Sequence, residues 1–345
     1  MGWKFLSRDP SPRTIRKLVR ALYQGVKNVN PTDQDYQRWF HSVSNGTSLA
    51  EMAAIVVAEA GLRRREETAA PLFVPPGHYY SPIVDPKEGA EAYDRAARAG
   101  VPVSLPGIAL DREAMIATWR ELVPLIETSG FQASPAADFG YGYENGMYAW
   151  GDGAILSAMI RKFRPAKIIE IGCGWSSACM VETLARTPDL ECKLTFIEPN
   201  TGRLKERLGE AYSDYTVIAD LVQNVDPELF TTLDAGDILF IDSTHVMKTG
   251  SDVCFEMFEI LPSLKRGVLV HIHDMLWPFE YYRSWVVDDN RSWNEIYAYR
   301  ALLMNNQSWE IVMFNSYLER VAWSLISSTW PFMNGAGSAL WLRKR

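Results

Sequence analysis

Apolar positions change their period along this chain. From Pro12 to Arg65 they recur every third or fourth residue. Ile15, Leu18, Val19, Leu22, Tyr23 and Val26 mark one helical face, and Tyr36, Trp39, Phe40 and Val43 a second after a polar break at Asn28 to Asp33. Asn45-Gly46 predicts a turn. Ser48 with Glu51 three positions later predicts a capping box opening a third helix, Leu49 to Ala60. A charged, then proline-rich stretch from Arg63 to Pro76 predicts a linker. Further on, short apolar runs alternate with amphipathic stretches, as a parallel sheet with helical crossovers requires. The division expected is a helical module over 1–66, a linker and covering segment over 67–109, and one α/β domain over 110–345.

The runs expected as strands are Lys167–Ile171, Lys193–Ile197, Tyr215–Ile218, Asp237–Asp242 and Gly267–Asp274, followed by Trp309–Phe314 and Ala339–Leu342. A helix is expected from Asp111 to Ser129, kinked or split at Pro124. Others are expected from Gly151-Asp152 through Phe163, from Ser251 to Leu261 and from Trp293 to Asn305. The aromatic, glycine-rich stretch Phe139–Tyr148 is a poor core element and reads as a lid. His78 among the tyrosines of Pro76–Pro82 reads either as cover for a pocket or as a packed surface loop.

One stretch organises the larger part. Ile168, Ile169 and Ile171 end at Gly172-Cys173-Gly174, and Trp175-Ser176-Ser177 opens a helix. Such a strand–turn–helix lets a ligand lie directly on the backbone, though a tight turn without ligand has the same shape. Dinucleotide turns place a third glycine where this chain has Ser177. Glu170 would repel a pyrophosphate. It suits S-adenosylmethionine, which carries an ammonium and a sulfonium. Glu170, Gly172, Gly174, Ser176 and Ser177 are therefore the expected cofactor contacts. Glu198, about 24 residues beyond Gly174, stands near the ribose-binding acid position, which serves NAD equally well.

Two further groups follow strand ends: Asp242-Ser243-Thr244-His245 and His273-Asp274. They share one rim if their strands are neighbours. His245 titrates in the range a general base needs. Asp242 and Asp274 suit a divalent cation such as Mg²⁺, which would acidify a bound hydroxyl. His273 is either a nitrogen ligand or a second base. His271, deeper in its strand, is expected as a hydrogen-bonded core residue.

Composition narrows the partners. The chain has 345 residues, 47% of them hydrophobic, enough for a large core, and a net charge of -7, which argues against nucleic acid. Four cysteines without Cys-x-x-Cys spacing read as reduced thiols. No apolar run reaches membrane-spanning length, the N-terminus lacks a signal-peptide core, and Leu6 stands where a myristoylation signal wants Ser or Thr. A soluble, cytoplasmic protein is expected.

From about Pro76 onward the chain resembles class I S-adenosylmethionine-dependent methyltransferases, on Ile169–Ser177, Phe240–His245 and His271–Asp274. It is similar to a bacterial group related to metal-dependent macrolide-sugar O-methyltransferases. The resemblance implies a Rossmann-like doubly wound, mostly parallel sheet whose last strand pair forms an antiparallel edge. It implies that Asp220 and Gln223 face the adenine, and that Asp242 contacts the cofactor besides ligating metal. It makes His245 the base, with His273 and Asp274 beside it. The sugar enzymes carry Glu-Asp where this chain has His273-Asp274, so one expected metal carboxylate is missing. Gly151-Asp152 is similar to a pair in catechol and caffeoyl-type O-methyltransferases, which implies that Asp152 holds the cofactor's amino group; a plain helix N-cap is the alternative. The N-terminal part resembles a small helical module found in bacteria beside glycosyltransferases and methyltransferases, on Leu22-Tyr23, Tyr36, Trp39 and Asn45–Ser48. Docking onto another protein is its expected use. Together these give O-methylation of a hydroxyl on a sugar, glycan or other small molecule in polysaccharide biosynthesis. An NAD-linked oxidoreductase or a non-catalytic adenosine-ligand scaffold are the alternatives.

Overall fold

The structure, a computed structural model, describes residues 12–26, 31–44, 48–49, 51–56, 72–135 and 140–345. It falls into two compact units, Met1–Pro75 and Pro76–Arg345.

In the first unit the helical spacing of the apolar residues gives α1 (Pro12–Val26) and α2 (Asp33–Ser44). Ile15, Val19 and Tyr23 of α1 pack with Trp39 of α2 and with Met52 and Val56 of a third helical stretch. Trp39 Nε1 donates to the Tyr23 hydroxyl, which donates to Asp35, so both buried polar atoms are satisfied. The capping box forms in full: Ser48 N–H donates to Glu51, and Glu51 N–H to Ser48 Oγ. The Asn45-Gly46 turn and residues 57–60 of the third helix lie outside the described residues.

The second unit is built on a seven-stranded sheet: β1 (Lys167–Ile171), β2 (Lys193–Ile197), β3 (Thr216–Ile218), β4 (Ile238–Ile241), β5 (Leu269–Ile272), β6 (Trp309–Phe314) and β7 (Leu340–Lys344). Their order is β3-β2-β1-β4-β5-β7-β6. The first five are parallel, and β7 runs antiparallel between β5 and β6. This is the Rossmann-like, doubly wound arrangement. Alternation along each strand divides the core in two. Ile168, Phe240 and Leu269 face one layer, and Ile169, Leu239, Ile241 and Val270 the other. The first layer holds α4 (Arg112–Glu127), α5 (Trp150–Phe163) and α6 (Trp175–Ala185). The second holds a helical run over 252–263 and α9 (Glu295–Leu303).

Register fixes the site. Ile171 pairs with Ile197 on one side and with Ile241 on the other, and Ile241 pairs with Ile272. The next residues, Gly172, Glu198, Asp242 and His273, therefore leave the sheet side by side at its carboxyl edge. The strand order reverses at β1, and ligands of open α/β sheets bind at such a point.

Several expectations are corrected. Pro124 neither splits nor ends α4, which continues to Glu127. Its ring sits on the solvent face in the last turn. The aromatic stretch is core and not a lid: Tyr141, Tyr143 and Tyr148 are buried, and Tyr141 donates to the Tyr148 carbonyl at 2.8 Å. Phe139 lies outside the described residues. The covering segment contains an unforeseen helix, α3 (Pro86–Ala99), capped by Asp85. Its Gly89 packs against Val286. His78, Tyr79 and Tyr80 stack on one another at the surface, away from every cavity described below. Among the described residues no helix is long and apolar enough to cross a membrane.

Candidate active site

The glycine turn lies against the neighbouring strand. Gly172 has φ +79°, and a Cβ there would meet the Asp242 carbonyl oxygen at 1.8 Å. The glycine is thus required by close approach of two strand ends, not by space for a ligand, as its place in the turn suggested. Glu170 finds its partner within the chain. It is fully buried on the α6 side and accepts hydrogen bonds from Ser176 Oγ and Ser177 Oγ, both at 2.5 Å. Burial pushes its carboxyl up to about 8. Ser177 Oγ also accepts from Gly174 N at 2.9 Å. Glu170, Ser176 and Ser177 therefore brace the turn from below. None of the three, nor Gly174, lines the cavity above it.

That cavity, about 300 Å³, is bounded by Gly172, Cys173, Glu198, Gln223 and Asp242. Glu198 is pre-oriented: its two carboxylate oxygens accept from Cys173 N at 3.2 Å and Asn200 N at 2.7 Å. Gln223 donates to the Gly250 carbonyl at 3.0 Å. Asp220 stays outside, exposed and bonded to Leu221 N and Asn224 Nδ2.

A second cavity, about 290 Å³, is lined by Asp152, His273, Asp274, Tyr282, Trp285 and Ser338, among others. Asp152 lies in the first turn of α5 but does not cap it; Ala149 holds the N-cap position. Its carboxylate accepts from Ser338 N at 2.9 Å and Asn315 Nδ2 at 3.3 Å, tying α5 to the chain before β7. Burial raises its pKa to about 7, against the opposing effect of His273. Asp274 accepts from Ser338 Oγ at 3.0 Å.

His245 is buried and lines neither cavity, but it lies against one carboxylate from the wall of each. Its Nε2 is 3.5 Å from Asp242 Oδ1 and 3.5 Å from Asp274 Oδ2. On the other side Nδ1 meets Glu295 Oε2 at 2.8 Å. Burial raises the Glu295 pKa and His245 opposes this; with Glu295 ionised it can only accept, so that Nδ1 carries the hydrogen and Nε2 is the basic nitrogen. The ring packs on Trp293 at 4.4 Å. Burial opposes charge on His245, but Asp242 and Glu295 outweigh it and hold its pKa well above the ordinary value. His273 is raised likewise: Asp242 and Asp274 overcome burial. Burial pushes Asp242 up, yet His273 and His245 hold it below the usual carboxylate range. His245 and Asp274 both sit at positive φ, 61° and 53°, a conformation that costs about 1–3 kcal/mol per residue and gathers at functional sites.

The expected metal ligands do not fit a metal here. His245 Nε2 stands 3.5 Å from a carboxylate oxygen of each of Asp242 and Asp274. Among the described residues no three His, Cys, Asp or Glu side chains are grouped to hold an ion. His271 also departs from expectation. It is fully buried against Phe240, but neither ring nitrogen has a hydrogen-bond partner. Burial lowers its pKa well below the ordinary value and keeps it neutral.

Glu295 and Glu256 escaped sequence reasoning. Both are fully buried, Glu256 where the 252–263 run loosens into a π-helical turn, accepting from Ser243 Oγ at 3.2 Å. Burial, then Glu295, pushes Glu256 well up, and burial raises Glu295 too, against the opposing effect of His245. Glu295 opens a helix, where an acid reads as ordinary dipole complementarity.

Residues 169–275, less than a third of the chain, match a family model described as a methyltransferase domain. Residues 169–275 are therefore similar to a methyltransferase domain, and they lie within the Rossmann-like sheet whose strand order is given above. An uncharacterized protein of Archaeoglobus fulgidus is 27% identical over 162 residues, 46% of this chain and 73% of that protein. Among solved structures, the SAH-bound Podospora anserina methyltransferase PaMTH1 is similar at a TM-score of 0.38 and 13% identity, over 80% of this chain and 100% of that one. A Mg-SAM form of CmcI is similar at 0.33 and 15%, over 56% and 71%.

Proposed function

We propose that the second unit transfers a methyl group from S-adenosylmethionine to a hydroxyl oxygen of a sugar, glycan or other small molecule, with His245 as proton acceptor. One observation carries the reading. His245 Nε2 lies 3.5 Å from Asp242, in the wall of the first cavity, and 3.5 Å from Asp274, in the wall of the second. A donor in the first and an acceptor in the second would meet there.

Bound S-adenosylmethionine supplies an electrophilic methyl group on a sulfonium. Glu198, held by two backbone N–H groups, is set to accept from both ribose hydroxyls. Gln223 faces the same cavity, and Asp242 offers negative charge at its inner end. Asp152 and Asp274 present carboxylate oxygens to the donor's ammonium or to acceptor hydroxyls. Neutral His245 takes the acceptor's proton at Nε2 as the oxygen attacks, and Glu295 stabilises the imidazolium formed. Holding the two reactants in line supplies the remaining acceleration. Aromatic faces beside carboxylates, as in Tyr282 and Trp285 beside Asp274, suit the C–H and O–H groups of a sugar. The net charge of -7 supports a small or uncharged acceptor over nucleic acid. The helical module supplies no residue named for these cavities, and we read it as a docking element.

Calorimetry with S-adenosylmethionine and with NAD⁺ tests the donor. Binding of the first alone is expected, and tighter binding of NAD⁺ would overturn the proposal. Turnover on sugar acceptors should survive dialysis against EDTA. Loss of turnover, restored by Mg²⁺, would show that the carboxylates reassemble around an ion.

A further inference from the structure

A further cavity of the second unit, about 790 Å³, lies outside the site described above. Its walls are α3 with the following Gly100–Pro102, the segment 276–283 after β5, and α10 (Asn315–Ile326). Its size is that of a pocket for a whole small-molecule ligand. It is not independent of the proposed acceptor cavity, since Tyr282 lines both.

The lining is mainly apolar and unfilled. Tyr282 is 50% exposed, Trp323 44% and Val101 43%, three large apolar side chains left open around one hollow. Charged groups also line it: Arg283, 3.9 Å from Asp288, Arg320, Glu280 and Glu319. Glu280 accepts from the hydroxyls of Tyr93 at 3.3 Å and Tyr297 at 2.5 Å. Glu319 is raised above its ordinary pKa by burial, which favours its neutral form. Ala96, Ala97 and Ala99 of α3 put only methyl groups on the opposite wall, so the volume is left by small residues.

We propose that this cavity is the distal half of the acceptor site and takes the apolar body of an amphipathic acceptor, whose hydroxyl-bearing head occupies the 290 Å³ cavity beside Asp274. The two halves meet at Tyr282. The proposal rests on the methyl-transfer reading and narrows its substrate class to molecules that join a hydroxylated head to an apolar chain or ring system.

The test uses full-length protein, calorimetry, and two probes with one head, methyl glucoside and octyl glucoside, below the micelle-forming concentration. Burial of a few methylene groups should make the octyl probe bind about tenfold tighter or more. Ala97→Trp adds bulk to the cavity from an exposed helix position and should reduce the difference to about twofold or less. Trp323→Ala, which removes part of the opposite wall, should weaken the octyl probe alone. S-adenosylmethionine affinity should be unchanged in both variants. Equal affinity for the two glucosides overturns the proposal. So does a preference that persists in both variants, because the chain would then bind elsewhere. Absence of S-adenosylmethionine binding in the unaltered protein would instead overturn the methyl-transfer reading, and the glucoside comparison would still report whether the cavity takes an apolar chain.

Discussion

His245 is surrounded by more negative charge than a free base requires, and this sets its pH behaviour. Asp242 and Glu295 raise its folded pKa above the unfolded value. The stability it contributes is therefore fully present below the unfolded pKa and is lost as pH rises through the folded one. Turnover runs the other way, because only the neutral ring accepts a proton. The rate should climb as pH rises through that same raised pKa. Glu295→Gln removes one anion, so the rising limb of kcat against pH should move to lower pH while S-adenosylmethionine affinity holds. An unmoved limb would mean that Glu295 does not set the charge on His245. Glu170 has the same sign of linkage as His245, chiefly from burial and not from neighbouring anions. Its carboxyl is raised from 4.5 to about 8 by burial, so folding should weaken as pH climbs through that window, by a few kcal/mol at the order-of-magnitude level. Glu170→Gln should flatten that decline, leaving the variant the more stable form above pH 8 in denaturant titrations. His245, Asp242 and Asp274 were legible in the sequence because each follows a buried run at a strand end. Glu295 was not, since nothing local to a helix start says which loop will fold against it.

Elements were legible in proportion to the strength of their apolar pattern. β1, β2 and β6 occupy the stretches expected because three to five apolar residues crowd into five or six positions and leave few alternatives to a buried strand. Helix α3 went unseen because Lys87–Ala99 carries little beyond alanine and Tyr93 to bury. The tyrosines of 141–148 were misassigned because glycine between aromatics signals a loop, while burial depends on hydroxyl partners that only the fold supplies. The turn after β1 separates two roles that the sequence had merged. Gly172 holds the β1 and β4 ends together, and Glu198 faces the cavity. Gly172→Ala places a methyl against the Asp242 carbonyl oxygen and should lower both the melting temperature and S-adenosylmethionine affinity. Glu198→Gln should lower affinity alone, with melting unchanged. Parallel behaviour of the two variants would contradict this division.

At the scale of the molecule, the chain divides at Pro75 and Pro76, and every residue assigned to transfer lies beyond that point. The register of β1, β4 and β5 brings Gly172, Asp242 and His273 to one edge without help from the helical module. The larger unit has its own two-layered core on both faces of the sheet, and α1 and α2 have a separate cluster around Trp39. A unit with its own core is expected to fold alone. Residues 76–345 expressed by themselves should therefore unfold cooperatively and bind S-adenosylmethionine within about twofold of the full chain, by calorimetry. Turnover on a free small acceptor should likewise survive. If affinity collapses while folding is retained, the module takes part in the cofactor site. If affinity holds but turnover on a protein-carried or membrane-carried acceptor falls, the module delivers the acceptor, as a docking element would.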